Sequence, residues 1–128
     1  MITTKLCTLL GIDFPIISAP MTGTATAELA AAVSKTGGFG MIGASLNPDP
    51  TWLKDQIQEV KEKTDLPFGV GFISSASGLE KSLEAALDAK VAAVGCSFAD
   101  PTDFIAQAKN ADVKSLAQVQ TLSDAKKA

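Results

Sequence analysis

The 128 residues are 46% hydrophobic and 20% charged, the composition of one globular domain with room for a core, and this excludes a disordered or fibrous chain. Fourteen acids against eleven lysines, with no arginine, leave a net charge of -3, a surface that does not attract phosphate backbones and so argues against nucleic-acid binding. Two cysteines, Cys7 and Cys96, in unrelated contexts and no histidine provide neither a disulfide framework nor a metal-type spacing.

The first apolar stretch is broken by Lys5, Gly11 and Asp13, so it makes neither a signal-peptide core nor a membrane span, and a cytoplasmic chain is expected. After this short leader, Pro15 to Ala19 is a brief apolar run opening on a proline, which predicts a first strand. Thr22 to Thr26 supplies small polar residues suited to capping a helix over about Ala27 to Ser34. Leu29, Ala30 and Val33 share a face of that helix, and Gly37-Gly38 ends it as a left-handed cap requires. Phe39 to Ala44 reads as the second strand.

Asp49-Pro50 is a helix start, a capping carboxylate followed by proline at the first helical position, with Leu53, Ile57 and Val60 as the buried stripe and Asp65 as the break. Pro67 to Ile73 is the third strand, and Gly69 and Gly71 within it point to close packing or to a ligand approaching the backbone. Ser74 to Gly78 makes a loop, and Leu79, Leu83, Ala86 and Leu87 line the next helix. Val91 to Phe98 is an apolar strand of the kind buried on both faces. Asp100-Pro101 repeats the helix start, Phe104, Ile105 and Ala108 form its stripe, Val113 to Val119 is the fifth strand, and a last helix begins at Thr121.

Strand centres recur at roughly 25-residue intervals, the size of one βα unit in either an α/β barrel or a doubly wound sheet. Length favours a flavodoxin-like open sheet, which needs about five strands, over an eight-fold barrel of about 250 residues. Local chemistry does not favour that smaller fold: the first strand-to-helix turn has no glycine-rich phosphate loop, and the third strand carries Gly71 where a receiver domain places its acceptor aspartate. The expected fold class is therefore α/β, about five βα units from the N-terminal part of a TIM (β/α)8 barrel, as a single partial domain over residues 1–128, with the flavodoxin-like sheet as the alternative.

The segment Gly11 to Met21, GIDFPIISAPM, resembles the first strand of the nitronate monooxygenase (2-nitropropane dioxygenase) family. Glu28 to Ser34 with Gly37 to Gly40, then Pro67 to Phe72, Ser97 to Pro101 and Ala117 to Thr121, follow the same family in the same order. The resemblance implies an FMN-dependent oxidoreductase that oxidises alkyl nitronates, a small-molecule substrate, with oxygen, here lacking the C-terminal half. A related flavin-barrel reductase and a catalytically inactive truncated barrel are the alternatives.

By resemblance, backbone groups from Ala19, Pro20, Met21 and Thr22 would line the isoalloxazine ring of FMN, where the residues alone equally describe a strand followed by a proline turn. Gly43 and Gly71 occupy equivalent strand ends, as backbone contacts to the cofactor or as packing positions. Gln118, a polar side chain in an apolar strand, either donates to a flavin oxygen or satisfies a nearby backbone group. The family's histidine base and phosphate-binding glycine loops have no counterpart here, so no catalytic residue is assigned and FMN retention by this chain alone is not expected. Cys96 reads as a small core residue and Trp52 as a packing residue. Open strand edges near Ile16, Ile17, Leu116 and Val119 predict self-association.

Overall fold

The computed structural model describes residues 2–45, 49–73, 78–98 and 100–128. Helices α1 (Lys5–Leu10), α2 (Ala27–Lys35), α3 (Pro50–Lys63), α4 (Leu79–Asp88), α5 (Thr102–Asn110) and α6 (Leu122–Lys127) interleave with strands β1 (Gly40–Gly43), β2 (Phe68–Ile73), β3 (Ala93–Ser97) and β4 (Lys114–Gln118). The strands are parallel and lie in sequential order, β1-β2-β3-β4. A flavodoxin-like sheet sets its first strand between the second and third, so this order removes that alternative and leaves the N-terminal part of a TIM-type barrel. Among the described residues, no helix is long and apolar enough to cross a membrane.

The expected first strand at Pro15 to Ala19 shrinks to one parallel bridge, Ile17 to Phe39. Pro15 brings no N–H to a ladder, and the Ile16 N–H turns back to the Phe14 carbonyl at 2.7 Å. Phe39 N–H donates to the Ile16 carbonyl at 2.9 Å and Ser18 N–H to the Phe39 carbonyl at 3.0 Å. The next rung uses a side chain: Met41 N–H donates to the Ser18 hydroxyl at 3.0 Å. The segment keeps the place of a strand beside β1 without the length of one.

The stretch expected as a leader is a helix. Cys7 and Leu10 are its buried residues, and Gly11 at φ 70 supplies the left-handed cap, with its N–H on the Cys7 carbonyl. At α2 the threonines do not cap; the first N–H, from Ala27, goes at 2.8 Å to the Gln56 side-chain oxygen of α3. Asp49 caps α3 through Thr51 N–H, as its sequence predicts. Ser74 to Ser77 of the expected loop lie outside the described residues.

Side chains alternate across the sheet, so each strand feeds two cores. The outer face sets Ile42, Val70, Val94 and Cys96 against Leu53, Ile57 and Val60 of α3, Leu83 and Ala86 of α4, and Phe104 of α5, with Trp52 packed at the margin. The Phe72 and Phe104 rings meet edge-on, centroids 6.1 Å apart. On the inner face, α1 closes the N-terminal end of the strands: Cys7, Leu10 and Ile12 pack on Phe39, Met41 and Ala93.

Candidate functional site

Parallel register places paired residues on the same side of the sheet, so the inner face can be read in rows. Met41, Gly69, Ala93 and Lys114 make the row nearest α1. Gly43, Gly71, Gly95 and Leu116 make the next, and Ile73, Ser97 and Gln118 the row at the C-terminal ends. Three of four positions in the middle row are glycines, where a closed barrel ordinarily stacks branched side chains. The space they leave is used by the chain itself.

The Ala19-Pro20-Met21-Thr22 turn folds onto this row. A Cβ at Gly71 would stand 2.3 Å from both Cβ and Cγ of Pro20, and one at Gly43 would stand 2.7 Å from the Met21 carbonyl carbon and the Thr22 nitrogen. The two glycines therefore admit the turn. Met21 N–H closes back on the Ala19 carbonyl at 2.9 Å, the Met21 carbonyl accepts from Thr24 and Ala25 N–H, and Gly43 N–H donates to the Ala25 carbonyl at 2.8 Å. Small residues and a proline ring thus lie pinned over the sheet at the end on which barrel sites are built.

Next to the turn is a cavity of about 230 Å³, walled by Ile17, Pro20, Met41 and Leu116, floored by Gly95, and rimmed by Ser97 and Gln118. The structure brings Pro20 and Gln118 to one cavity, with Gly71 beneath the Pro20 ring. Ala19, Met21, Thr22 and Gly43 belong to the adjoining turn and its seat. Gly95 was legible as the same strand-interior glycine signal that singled out Gly71, one strand further on. The Ser97 hydroxyl donates to the Phe72 carbonyl at 3.3 Å, whereas the exposed Gln118 amide makes no side-chain hydrogen bond among the described residues. Gln118 is thus a donor at the rim with its hydrogen-bonding capacity unspent.

None of the residues named around this cavity carries an ionised group, and the chain has no histidine, so the site can enclose and orient a ligand but brings no proton-transfer residue of its own. The walls suit a flat, largely apolar ring. Pockets for drug-sized ligands run to about 300–1,000 Å³, so the space fits a ring system rather than a whole nucleotide. Three helix N-termini at this end are already occupied by the chain's own oxygens. Asp49 accepts from Thr51 N–H at 2.9 Å on α3, Asp100 from Thr102 N–H at 3.0 Å on α5, and Thr121 from Asp124 N–H at 3.1 Å on α6. The Thr102 hydroxyl on Asp100, 2.6 Å away, then the Thr102 N–H, hold that carboxyl below its ordinary range against a small opposing effect of desolvation, so it stays ionised and repels anions. A phosphate finds no open cradle at these three N-termini. No group of metal-ligating side chains forms among the described residues.

Fold and site together define the N-terminal portion of a TIM-barrel-like flavoenzyme fold. A family model described as nitronate monooxygenase matches residues 3–82. The chain belongs to the nitronate monooxygenase family. A nitronate monooxygenase of Paraburkholderia phytofirmans is 48% identical over 63 residues, 48% of this chain and 17% of that protein. A probable nitronate monooxygenase of Staphylococcus aureus is 39% identical over 79 residues, 61% of this chain and 22% of that protein. The structure of FabK from Thermotoga maritima has a TM-score of 0.95 and 33% identity, covering 98% of this chain and 40% of that one. A nitroalkane oxidase structure from Streptomyces ansochromogenes shares the fold, with a TM-score of 0.82 and 24% identity over 95% of this chain and 44% of that one. The chain therefore spans less than half the length of these relatives.

Proposed function

We propose that this chain forms the ring-facing part of an FMN-dependent oxidoreductase of nitronate monooxygenase type, acting on alkyl nitronates with oxygen. The observation that carries the reading is the apolar cavity beside the Pro20 turn, at the C-terminal ends of the strands, in a chain of this family. Bound FMN would supply a two-electron acceptor that oxygen reoxidises. Ala19, Pro20, Met21 and Thr22 present backbone and small side chains to the ring. Gly43 and Gly71 act beneath them by letting the turn sit close. Gln118 donates its amide to a ring oxygen, and Ile17, Pro20 and Leu116 exclude water from the reacting face. A nitronate is already an anion, so the absence of a base near the cavity is compatible with nitronate oxidation, whereas a neutral nitroalkane needs a proton removed from carbon.

The test compares oxygen uptake by this chain and by a version extended through the remaining βα units, each with FMN and an alkyl nitronate. Turnover is expected from the extended version and not from this chain, in which the N-termini of α3, α5 and α6 offer a phosphate no open cradle. An extended version that binds FMN yet oxidises neither nitronate nor nitroalkane moves the assignment to a reductase on the same barrel. The second reading, an inactive part-barrel that self-associates, is favoured by the exposed edges: Ile16 is 61% exposed on one side, and β4 is unpaired on the other among the described residues. Sedimentation of this chain as a concentration-dependent dimer, with no activity from the extended version, would support it.

A further inference from the structure

Three non-glycine residues have left-handed backbones: Lys90 (φ 53), Phe98 (φ 67) and Asp112 (φ 56). Lys90 and Asp112 have an evident cause. Each follows a helix, where Val91 N–H reaches the Ala86 carbonyl at 3.4 Å and Val113 N–H the Ala108 carbonyl at 2.9 Å, the closing bonds of a cap that requires a left-handed residue. Phe98 ends no helix; it directly follows β3. A bulky aromatic in this region is a genuine outlier, because its Cβ crowds the following carbonyl.

A second cost falls on the same residue. Phe98 is 61% exposed, whereas Phe39, Phe68, Phe72 and Phe104 are all buried. Neither strain nor exposure is repaid by packing inside the fold, and residues held in this way gather at ligand sites. Position specifies which site: Phe98 is next in the chain to Ser97, which rims the cavity opposite its register partner Gln118. Phe72, the aromatic among the residues that line the cavity, is itself buried and packed edge-on against Phe104, so Phe98 is the exposed aromatic that follows this rim in the chain.

We infer that Phe98 is a ligand-contact residue, held out by its left-handed backbone so that its ring stacks on a planar, uncharged ring system seated against Ser97 and Gln118. The inference rests on the reading of the cavity as a flavin-ring site and adds the residue that closes it. Offset stacking of flat aromatic surfaces rewards an exposed ring of this kind and needs no charge.

The probe is riboflavin, which carries the ring without the phosphate, titrated by fluorescence quenching into the full 128-residue chain and its Phe98→Gly, Phe98→Leu and Phe98→Tyr variants, with thermal unfolding of each. The wild-type chain should quench riboflavin weakly but saturably. Phe98→Gly should unfold at a temperature several degrees higher, because the backbone strain is relieved, and should bind about fivefold more weakly. Phe98→Leu should lose the same affinity without the gain in stability, and Phe98→Tyr should retain affinity. A Phe98→Gly chain less stable than wild type would mean that the ring packs within the fold, and unaltered affinity in that variant would mean that it serves another contact; either result overturns the inference. Affinity that survives Phe98→Gly but disappears on filling the cavity by Gly95→Leu would leave the ring site standing and reject only Phe98. No saturable riboflavin binding by the wild-type chain would overturn both.

Discussion

Gly71→Ala tests whether the Pro20 turn is seated by a missing side chain. The new Cβ would stand 2.3 Å from two atoms of the Pro20 ring. Carbon atoms rest at about 3.5–4.0 Å, so ring or strand must shift by more than about 1 Å. The strand is the stiffer partner: Gly71 pairs with Gly43 on one side and Gly95 on the other, and its carbonyl accepts from Ala44 N–H at 3.0 Å. The turn therefore gives way. Overpacking of this kind costs about 1–3 kcal/mol, and the lower unfolded-state entropy of alanine returns about 0.4–1 kcal/mol. A net loss of about 1–2 kcal/mol lowers the midpoint by roughly 3–8 °C in a domain of this size.

The assay is thermal unfolding by circular dichroism, run as a double-mutant cycle with Pro20→Gly. In the Pro20→Gly background the same Gly71→Ala change should be neutral or stabilising, because the obstructing ring has gone, which makes the coupling between the two sites about 1–3 kcal/mol. An isolated Gly71→Ala that raises stability would show that the turn does not rest on Gly71. Equal effects in both backgrounds would show that Pro20 is not what it meets.

Two buried serines should respond with opposite signs in urea denaturation. Ser34 donates to the Pro67 carbonyl at 2.9 Å and accepts from Gly40 N–H at 3.2 Å, so Ser34→Ala should cost about 2–3 kcal/mol by stranding backbone groups. Ser82 buries a hydroxyl with no partner among the described residues, so Ser82→Ala should stabilise by about 1 kcal/mol, and a loss there would mean that the hydroxyl has a partner. Asp112→Gly, at φ 56, should gain about 1 kcal/mol by relieving a left-handed aspartate at the end of α5, and a lower midpoint would refute the strain argument. The Asp100 carboxyl is held below its unfolded value by the hydroxyl and then the N–H of Thr102, so its contribution is present above about pH 3.9 and fades as pH falls through the lowered folded value. Wild-type and Asp100→Asn stability should converge in that acid range, and a gap that persists undiminished to pH 2 would refute the capping role.

Most of the βα order was legible because its signals are local. Asp49-Pro50 announces α3, the Leu53, Ile57 and Val60 spacing gives its buried face, and β2 and β3 are apolar runs that the structure buries on both faces. Sequential strand order was not legible from spacing, which a doubly wound sheet shares; the missing glycine-rich loop, Gly71 and the ordered resemblance from Gly11 to Thr121 separated the two. Helix α1 escaped because six residues offer too short a period to stand out, although Gly11 marks its end. The first strand was overestimated because its hydrophobicity belongs to a segment whose hydrogen bonds are partly diverted to a side chain and a tight turn. The cavity itself depends on register, which sets Gly95 level with Gly71 and Gln118 level with Ser97, and a single sequence does not number strands against each other.

The division of the core between two faces separates folding from function. Ile42, Leu53, Val60, Val70 and Val94 are fully buried in the layer between sheet and helices, so the described elements complete that layer by themselves. The inner face is completed only at its lower end, where α1 covers Phe39, Met41 and Ala93. Toward the C-terminal ends it opens: Leu116 is half-buried, Gln118 and Lys114 are exposed along β4, and Met21 and Phe98 stand 47% and 61% exposed. Apolar burial at about 25 cal/mol per Å² is thus concentrated on the helix-covered face, while the groups proposed to meet a ligand contribute little to it. A lysine at the start of β4 also blunts the open edge against indiscriminate pairing. Substitutions at Leu53 or Val70 should therefore unfold the chain without informing on its site. Exchanges at Gln118 or Phe98, the groups proposed to meet a ligand, should leave a folded sheet on which a change in binding can be measured.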